Sequence, residues 1–325
     1  MILTLLFSLF TSFTTDTAFV HDPVMAYENG IYYMYSTGRN IQVMTSSNRK
    51  SWTLNQTGVL PNIPSWTHDS VPGFKNHIWA PDIIQWHQQW WMAYSCSTFG
   101  KNTSAIGLLQ ASNLAINQWT DKGCLINSHA KRDNWNAIDP NFVKDEDDNL
   151  WLTFGSFWDG IQLIKLQEQN GTLTQDPNVA QLTIARRYHN NAPNNIKNPT
   201  SKNAGINAIE APFIFKHDNW YYLFVSWDYC CRGAKSNYRV VVGRSRSITG
   251  PYIDENGISM TEGGGTLVLE GDKKVYEAAG HCAVYHFNHQ DLFICHGYNL
   301  QLDGMSTLIQ RKIHWKENGF PQLEE

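Results

Sequence analysis

The sequence predicts an all-β protein, a five-bladed β-propeller whose four-stranded antiparallel blades surround a central channel. Three observations carry this prediction. The apolar runs are short and rich in β-branched and aromatic residues, they recur in five similar units along 325 residues, and they lack a helical period. Five small sheets around one axis form one domain, although the length alone would suggest about two.

Each unit opens with a short apolar run, a polar turn and an aromatic-rich run, which is the pattern of a β-hairpin. In order, the hairpins read "DPVMAYENGIYYMYSTG", "APDIIQWHQQWWMAYSC", "DPNFVKDEDDNLWLTFGS", "APFIFKHDNWYYLFVS" and "HCAVYHFNHQDLFICHG". A third strand-like run with its own turn follows each hairpin, as in "IQVMTSSNRKSWTL". The aromatic runs recur roughly every 60 to 70 residues, a spacing that suits one four-stranded blade. Their anchors are Tyr32, Trp91, Trp151, Tyr222 and Phe293.

The ends of the chain and one internal stretch fall outside this repeat. Residues 1–13 are apolar and uncharged, too short to cross a membrane, and similar to the apolar core of a secretory signal. We therefore predict a signal segment at 1–18 and a single propeller domain at 19–325, with an apolar N-terminal strand as the alternative. The Asn/Pro-rich stretch at 188–204 is expected to be an insertion at a blade junction.

Composition narrows the range of partners. The net charge of -4 gives no basic surface for nucleic acid, and we expect a secreted monomer that binds neither nucleic acid nor a membrane. Aromatic residues make up 13% of the chain, enough that some could form flat platforms for a sugar. Among the six cysteines, Cys230 and Cys231 are adjacent, which makes a bond between them strained. Cys282 and Cys295 could pair across a hairpin or remain buried thiols.

Ionisable residues recur where the first strand of a unit begins. Asp139, Glu210 and His281 each lie twelve positions before the aromatic anchor of their unit, and Asp22 lies ten positions before the first anchor. The first strand of a propeller blade lines the channel, so these side chains should meet in one cavity. A single Asp before Pro is commonly a turn residue. Several carboxylates crowded at the starts of apolar strands are costly unless they function or pair.

Asp82 in "WAPDII" lies near this motif but is offset from the aligned position. Because side chains alternate between the two faces of a strand, an offset directs the side chain elsewhere. We predict a structural role for Asp82.

Three carboxylates around a channel with aromatic platforms favour glycoside hydrolysis. That reaction needs one carboxylic acid to protonate the leaving oxygen and one carboxylate to activate water or attack carbon. A third carboxylate can raise the pKa of the acid and keep it protonated.

An ordered set of motifs resembles glycoside hydrolase family 43, and within it the endo-1,5-α-L-arabinanases. The motifs run from "HDPV" at His21 through "WAPD", "NAIDPN", "FGSFWDGI", "IEAPF", "CCRG" and "GRSRSITGPY" to "EGGGTLVL", and the resemblance spans about residues 20 to 320. It implies a five-bladed propeller and an inverting enzyme. By motif, it implies that Asp22 is the general base, Glu210 the general acid, and Asp139 the residue that orients substrate and tunes the pKa of the acid.

The resemblance also implies a metal and a set of substrate contacts. His281, in "AAGHCAVY", matches the family's central histidine near a hydrated ion, so we expect one largely water-coordinated calcium ion there and no organic cofactor. The alternative is a hydrogen-bonding histidine without metal. The residues expected to contact substrate are Trp79, Phe99, Asn136, Ser156, Trp158 and Arg232.

The predicted function is cleavage of internal α-1,5-L-arabinofuranosidic bonds in arabinan or arabino-oligosaccharides. Two alternatives stay open at this point. One is an exo-acting arabinofuranosidase or β-xylosidase of the same family, and the other is a propeller that binds carbohydrate without catalysis.

Overall fold

The computed structural model describes residues 14–15, 17–187 and 207–324. Its strands form five antiparallel sheets, each built from consecutive segments of the chain, which confirms the predicted five-bladed propeller. The predicted insertion at 188–204 and most of the predicted signal segment lie outside the described residues.

The strands of the five blades follow one another along the chain. Blade 1 contains β1 (Thr14–Thr15), β2 (Val24–Glu28), β3 (Ile31–Ser36), β4 (Gln42–Ser46) and β5 (Trp52–Leu54). Blade 2 contains β6 (Trp79–Trp86), β7 (Gln89–Cys96), β8 (Ser104–Ala111) and β9 (Thr120–Ser128). Blade 3 contains β10 (Asn141–Lys144), β11 (Leu150–Phe154), β12 (Ile161–Gln169), β13 (Thr172–Gln175) and β14 (Leu182–Ala185). Blade 4 contains β15 (Ile209–His217), β16 (Trp220–Trp227), β17 (Arg239–Ser245) and β18 (Thr266–Leu269). Blade 5 contains β19 (Tyr276–Phe287), β20 (Gln290–Asn299), β21 (Met305–Trp315) and β22 (Pro321–Leu323).

Blades 1 and 3 each carry one strand more than the predicted four. In blade 1, β1 adds to the outer edge by pairing with β5. In blade 3, β13 and β14 share the outer position, because each pairs with a different half of β12.

Helical structure among the described residues is limited to short connections. One α-helix, α1, covers Trp66–Ser70, and three single turns of 3₁₀-helix cover Gly233–Lys235, Met260–Glu262 and Leu300–Leu302. In the part of the chain that the structure describes, no helix has the length and apolar character needed to cross a membrane.

The core lies between the blades, so the middle strands are covered on both faces. Every position of β11 is buried, and β7 is buried at all but its first residue. Such strands read as continuous apolar runs rather than as alternating patterns, because neither face meets water.

The N-terminal segment links the first blade to the last. Phe19 forms a bridge with Thr307 of β21, and the Leu308 amide donates to the Ala18 carbonyl at 2.9 Å. Since blade 1 follows directly, these hydrogen bonds tie the two ends of the ring together.

In or just before the first strand of every blade, one residue has the same unusual backbone. Five non-glycine residues adopt positive φ angles there: Asp22 (55°), Ala80 (39°), Asp139 (57°), Ala211 (54°) and His281 (52°). The backbone N–H of each donates to a side chain of the preceding blade. For Ala211 the acceptor is Asp139, which lies just before that blade. Positive φ at such residues costs free energy and is found most often at functional sites, where the surroundings hold it in place.

This pattern corrects the alignment made from the sequence. Ala211, rather than Glu210, is the equivalent of Asp139 and His281, so Glu210 lies one residue earlier than predicted. The reason is that the aromatic anchors are not equivalent: Tyr222 lies two positions after the start of β16, Phe293 lies three after the start of β20, and the turn between β10 and β11 is longer than the other hairpin turns. In blade 2 the equivalent position is Ala80, which has no ionisable side chain.

Antiparallel pairing places the start of each first strand opposite the end of the second strand. Trp79 pairs with Ser95 in blade 2, and Ile209 pairs with Trp227 in blade 4. The loops that follow the second strands therefore lie at the same end of the propeller as the ionisable residues.

Candidate active site

Asp22 lies at the centre of a dense polar cluster. Its Oδ1 is 2.8 Å from His21 Nδ1, 3.0 Å from His281 Nδ1 and 3.6 Å from His296 Nδ1. Its Oδ2 accepts a 2.5 Å hydrogen bond from the Thr37 hydroxyl. Its side chain is only 9% exposed, so protein groups rather than bulk water surround most of the carboxylate.

These neighbours hold Asp22 in its ionised form. Burial alone would raise the pKa of the carboxyl, but the charges and hydrogen bonds of His21 and His281 outweigh it and lower the pKa well below the ordinary value. In return, Asp22 raises the pKa of His281 to about 9, against the opposing effect of burial. His296 behaves differently, because burial lowers its pKa well below the ordinary value and keeps it neutral.

Glu210 is held by two hydroxyl groups from different blades. Ser156, in the loop after β11, donates to Oε2 at 2.7 Å, and Tyr238, next to β17, donates to Oε1 at 2.8 Å. The packing of Tyr238 needs a glycine at position 280, because a Cβ there would overlap the tyrosine ring. Each oxygen of Glu210 keeps one further position for a proton or a substrate hydrogen bond.

Asp139 lies beside Glu210 on the neighbouring blade. Its Oδ2 accepts from the backbone N–H of Ala211 at 3.1 Å, and its own N–H donates to Ser95 Oγ at 3.0 Å. The side chain of Asp139 is therefore fixed to the residue that follows Glu210.

The carboxyl groups of Asp139 and Glu210 both hold protons more tightly than ordinary carboxyls. Burial is the largest cause for each, and the negative charge of Asp22 raises the pKa of both. The charge of Glu210 raises the pKa of Asp139 further. The site thus combines one carboxyl whose pKa is lowered with two whose pKa values are raised, which is the division that acid–base catalysis requires.

The predicted calcium site rests on a small donor set. His281 Nδ1 faces Asp22, so Nε2 would be the atom that binds a metal, in place of the proton that a pKa of about 9 gives it. Among the described residues, the groups with metal-ligand spacing are His21 with Cys230 and Cys231, and His21 with Asp22 and His296. Neither includes His281. His281 therefore fits a largely hydrated ion but not a cage of six to eight oxygen ligands.

Several predicted substrate contacts lie in or beside the loops at this end of the propeller. Phe99 is 77% exposed in the loop after β7, and Trp79 is half-buried at the start of β6 with its indole N–H donating to His77. Trp158 is half-buried in the loop after β11. Arg232 is exposed in the loop after β16, where its guanidinium lies 4.0 Å from the centre of the Tyr229 ring. Their contact with substrate stays a prediction.

The two predicted polar contacts have protein partners of their own. Ser156 donates to Glu210, which ties it to the ionisable cluster. Asn136 is 3% exposed and its Oδ1 accepts from Ser104 Oγ at 2.6 Å. That contact gives Asn136 a structural role, and its predicted role with substrate is untested.

Asp82 has the contacts of a structural residue. Its Oδ2 accepts from the Phe142 amide at 2.6 Å and from Asn141 Nδ2 at 3.2 Å, so it joins blade 2 to blade 3. Burial raises its pKa to about 7 despite these hydrogen bonds.

The cysteines follow two different arrangements. Cys230 and Cys231 form a disulfide between adjacent residues, although their adjacency argued against it. Cys282 and Cys295 are buried thiols, in agreement with the second of the two sequence interpretations.

Five polar residues of the cluster were not predicted from the sequence: His21, Thr37, Tyr238, His296 and Tyr298. Thr37 lies just beyond the end of a second strand, and His296 and Tyr298 lie in the last four residues of another. That geometric rule could have found all three. Tyr238 has no comparable signal, because it lies between an irregular loop and the third strand, β17.

A five-bladed propeller that sets a carboxyl of lowered pKa beside two of raised pKa has the arrangement of a glycoside hydrolase, since hydrolysis of a glycosidic bond needs both a carboxylate and a carboxylic acid. The comparison with known proteins is more specific. Residues 16–321 match the model of glycosyl hydrolases family 43, and the chain belongs to that family.

Similar proteins are known in sequence and structure. The chain is 38% identical to an extracellular exo-α-(1→5)-L-arabinofuranosidase of Cellvibrio japonicus, over 94% of this chain and 86% of the relative. It is 37% identical to an extracellular endo-α-(1→5)-L-arabinanase of Bacillus subtilis, over 93% and 87%. A solved exo-1,5-α-L-arabinanase from a bovine ruminal metagenomic library superposes with a TM-score of 0.86 at 47% identity, covering 95% of this chain and 98% of that one.

Proposed function

We propose that this protein hydrolyses the α-1,5-linked L-arabinofuranosyl chain of arabinan, cutting internal bonds with inversion at the anomeric carbon. The observation that carries the proposal is that Asp22 and Glu210 lie in one cluster whose contacts shift their pKa values in opposite directions. The names of the similar arabinan-degrading proteins support the substrate.

Asp22 acts as the general base. His21 and His281 occupy the two lone-pair positions of Oδ1, and the Thr37 hydroxyl occupies one position of Oδ2. The remaining lone pair of Oδ2 accepts a proton from the attacking water as its oxygen bonds to the anomeric carbon.

Glu210 acts as the general acid. It gives its proton to the glycosidic oxygen as the bond between that oxygen and the anomeric carbon breaks. Glu210 then becomes a carboxylate, which the hydroxyls of Ser156 and Tyr238 stabilise. Asp139 keeps the acid protonated until substrate arrives. Because water attacks from the side opposite the leaving group, the product has the inverted configuration.

Exo action on the same bonds is the second candidate, since two of the similar proteins are exo-acting. A time course on debranched arabinan with product sizing separates the candidates. Early oligosaccharides of mixed length support internal cleavage, whereas release of one short product from the start supports exo action. Binding of arabinan without release of reducing ends would overturn both.

Secretion belongs to the same proposal. The apolar residues 1–13 and the extracellular relatives support it. N-terminal sequencing of protein recovered from culture medium should find a mature chain that starts near residue 18, and an intact Met1 would count against it.

A hydrated calcium ion on His281 Nε2 is proposed as well, and its chemistry would be to add positive charge beside the carboxyl cluster. Calcium should raise the thermal midpoint of the wild-type protein, and His281→Ala should abolish that shift. An equal shift in both proteins would place the ion elsewhere.

A further inference from the structure

His21 lies between the proposed base and a buried tyrosine. Its Nδ1 is 2.8 Å from Asp22 Oδ1, and its Nε2 is 2.9 Å from the Tyr298 hydroxyl. Its ring stacks on His296 with the centres 3.9 Å apart. Because the two nitrogens face different partners, the position of the proton on His21 decides whether Asp22 accepts a hydrogen bond from it.

The proton on His296 can be assigned from its partners. Its Nδ1 accepts the backbone N–H of Asp22 at 3.1 Å, so this nitrogen carries a lone pair. In a neutral imidazole the proton is then on Nε2, which faces the Tyr298 oxygen at 3.3 Å.

The Tyr298 oxygen receives a second donor from the disulfide loop. The backbone N–H of Cys231 donates to it at 2.6 Å. With two N–H donors directed at its two lone pairs, the hydroxyl has only its own proton left to give, and His21 Nε2 is an acceptor at hydrogen-bond distance.

We propose that Tyr298 is a positioning residue that fixes His21 in the tautomer with its proton on Nδ1, so that His21 donates to the proposed base Asp22. The hydrogen bonds run in one direction, from the Cys230–Cys231 loop through Tyr298 and His21 to the carboxylate. The competing acceptor is the Ser236 hydroxyl, which is also close to the Tyr298 oxygen. If Tyr298 donated to Ser236, His21 could carry its proton on Nε2.

The tautomer is measured directly by long-range ¹H–¹⁵N correlation of ¹⁵N-histidine-labelled wild-type protein, with the His21 signals assigned by their loss in His21→Gln. We expect a protonated Nδ1 and an unprotonated Nε2 on His21, and the reverse on His296. A His21 ring protonated at Nε2 would overturn the proposal, and this measurement does not depend on any variant of Tyr298.

The kinetic test compares two tyrosines of blade 5. Tyr298→Phe removes the donor to His21, while Tyr285→Phe removes a buried hydroxyl that likewise accepts a backbone N–H, from Met25 at 2.8 Å, but does not touch the cluster. We expect Tyr298→Phe to lower kcat by about 10- to 100-fold with little change in KM, since misplacing a catalytic group costs rates of this order. Tyr285→Phe should retain the wild-type kcat. Equal kcat values for the two variants would contradict the proposal.

The kinetic arm rests on the proposed function and the spectroscopic arm does not. If the wild-type protein failed to cleave arabinan, the proposed function would fall while the tautomer remained measurable. If arabinan were cleaved but His21 carried its proton on Nε2, only the role of Tyr298 would fall.

Discussion

Ser156 donates a 2.7 Å hydrogen bond to Glu210 across the boundary between blades 3 and 4. This hydrogen bond favours the ionised carboxylate and so lowers the pKa of Glu210, in opposition to burial, which raises it. The residue expected only to contact substrate therefore also sets how readily Glu210 releases its proton.

Ser156→Ala should move the alkaline limb of the pH–rate profile to higher pH. Without the donor, Glu210 loses its proton at higher pH, and the acid form persists further into the alkaline range. Turnover should also fall by up to roughly tenfold, because the carboxylate that forms when Glu210 gives up its proton loses one stabilising hydrogen bond. The measurement is kcat/KM on arabinan against pH, and Ser245→Ala, a buried serine remote from the cluster, serves as the control.

Asp139→Asn should move the same limb in the opposite direction. Asp139 raises the pKa of Glu210 through its negative charge once it ionises, so its replacement makes Glu210 more acidic and shifts the limb down by about 1 pH unit. The asparagine oxygen can still accept the Ala211 amide, which limits the structural change. If the limb stayed in place or rose, Asp139 would have no influence on the protonation of the acid.

Asp82→Asn should change the pH dependence of stability rather than catalysis. The pKa of about 7 lies above the value near 4 expected for Asp in an unfolded chain. The unfolded chain therefore ionises first as pH rises, and the contribution of Asp82 to stability falls between about pH 4 and pH 7. The variant still has an oxygen that accepts the Phe142 amide, and its stability does not fall over this pH range for lack of an ionisable group. The thermal midpoint of the variant minus that of wild type should rise from pH 4.5 to pH 8. A difference that is the same at both pH values would be inconsistent with a buried proton on Asp82.

Phe99→Ala should weaken substrate binding without loss of fold. The ring is 77% exposed, so little core packing is removed. Loss of a stacking platform worth roughly 0.5–1.5 kcal/mol should raise KM for arabinan by about 2- to 10-fold. Ile116→Ala, which truncates another exposed apolar side chain, is the control, and equal KM values for the two variants would argue against a platform at Phe99.

The repeat and the chemistry of the site could be predicted from the sequence because both rest on local signals. Five hairpin patterns fix the number of blades, and an acid before the apolar first strand marks Asp22 and Asp139. Glu210 was found although its equivalence to Asp139 was wrong, since the hairpin turn of blade 3 is longer than that of blade 4 and the aromatic anchors therefore do not align.

The missed residues depend on long-range geometry. His296 and Tyr298 reach Asp22 and His21 because blade 5 closes the ring against blade 1, and closure brings together residues from opposite ends of the chain. Both side chains are buried like core residues of β20, and only their place in its last four positions distinguishes them.

The most direct test compares Glu210→Gln with Asp22→Asn on two substrates, arabinan and an aryl arabinofuranosyl oligoside whose phenol leaves without protonation. The division of roles predicts that Glu210→Gln loses about 10²–10⁴-fold on arabinan and far less on the aryl substrate, while Asp22→Asn loses activity on both. Glu210→Gln activity on arabinan within a fewfold of wild type, or equal losses on both substrates, would contradict the assignment of Glu210 as the acid.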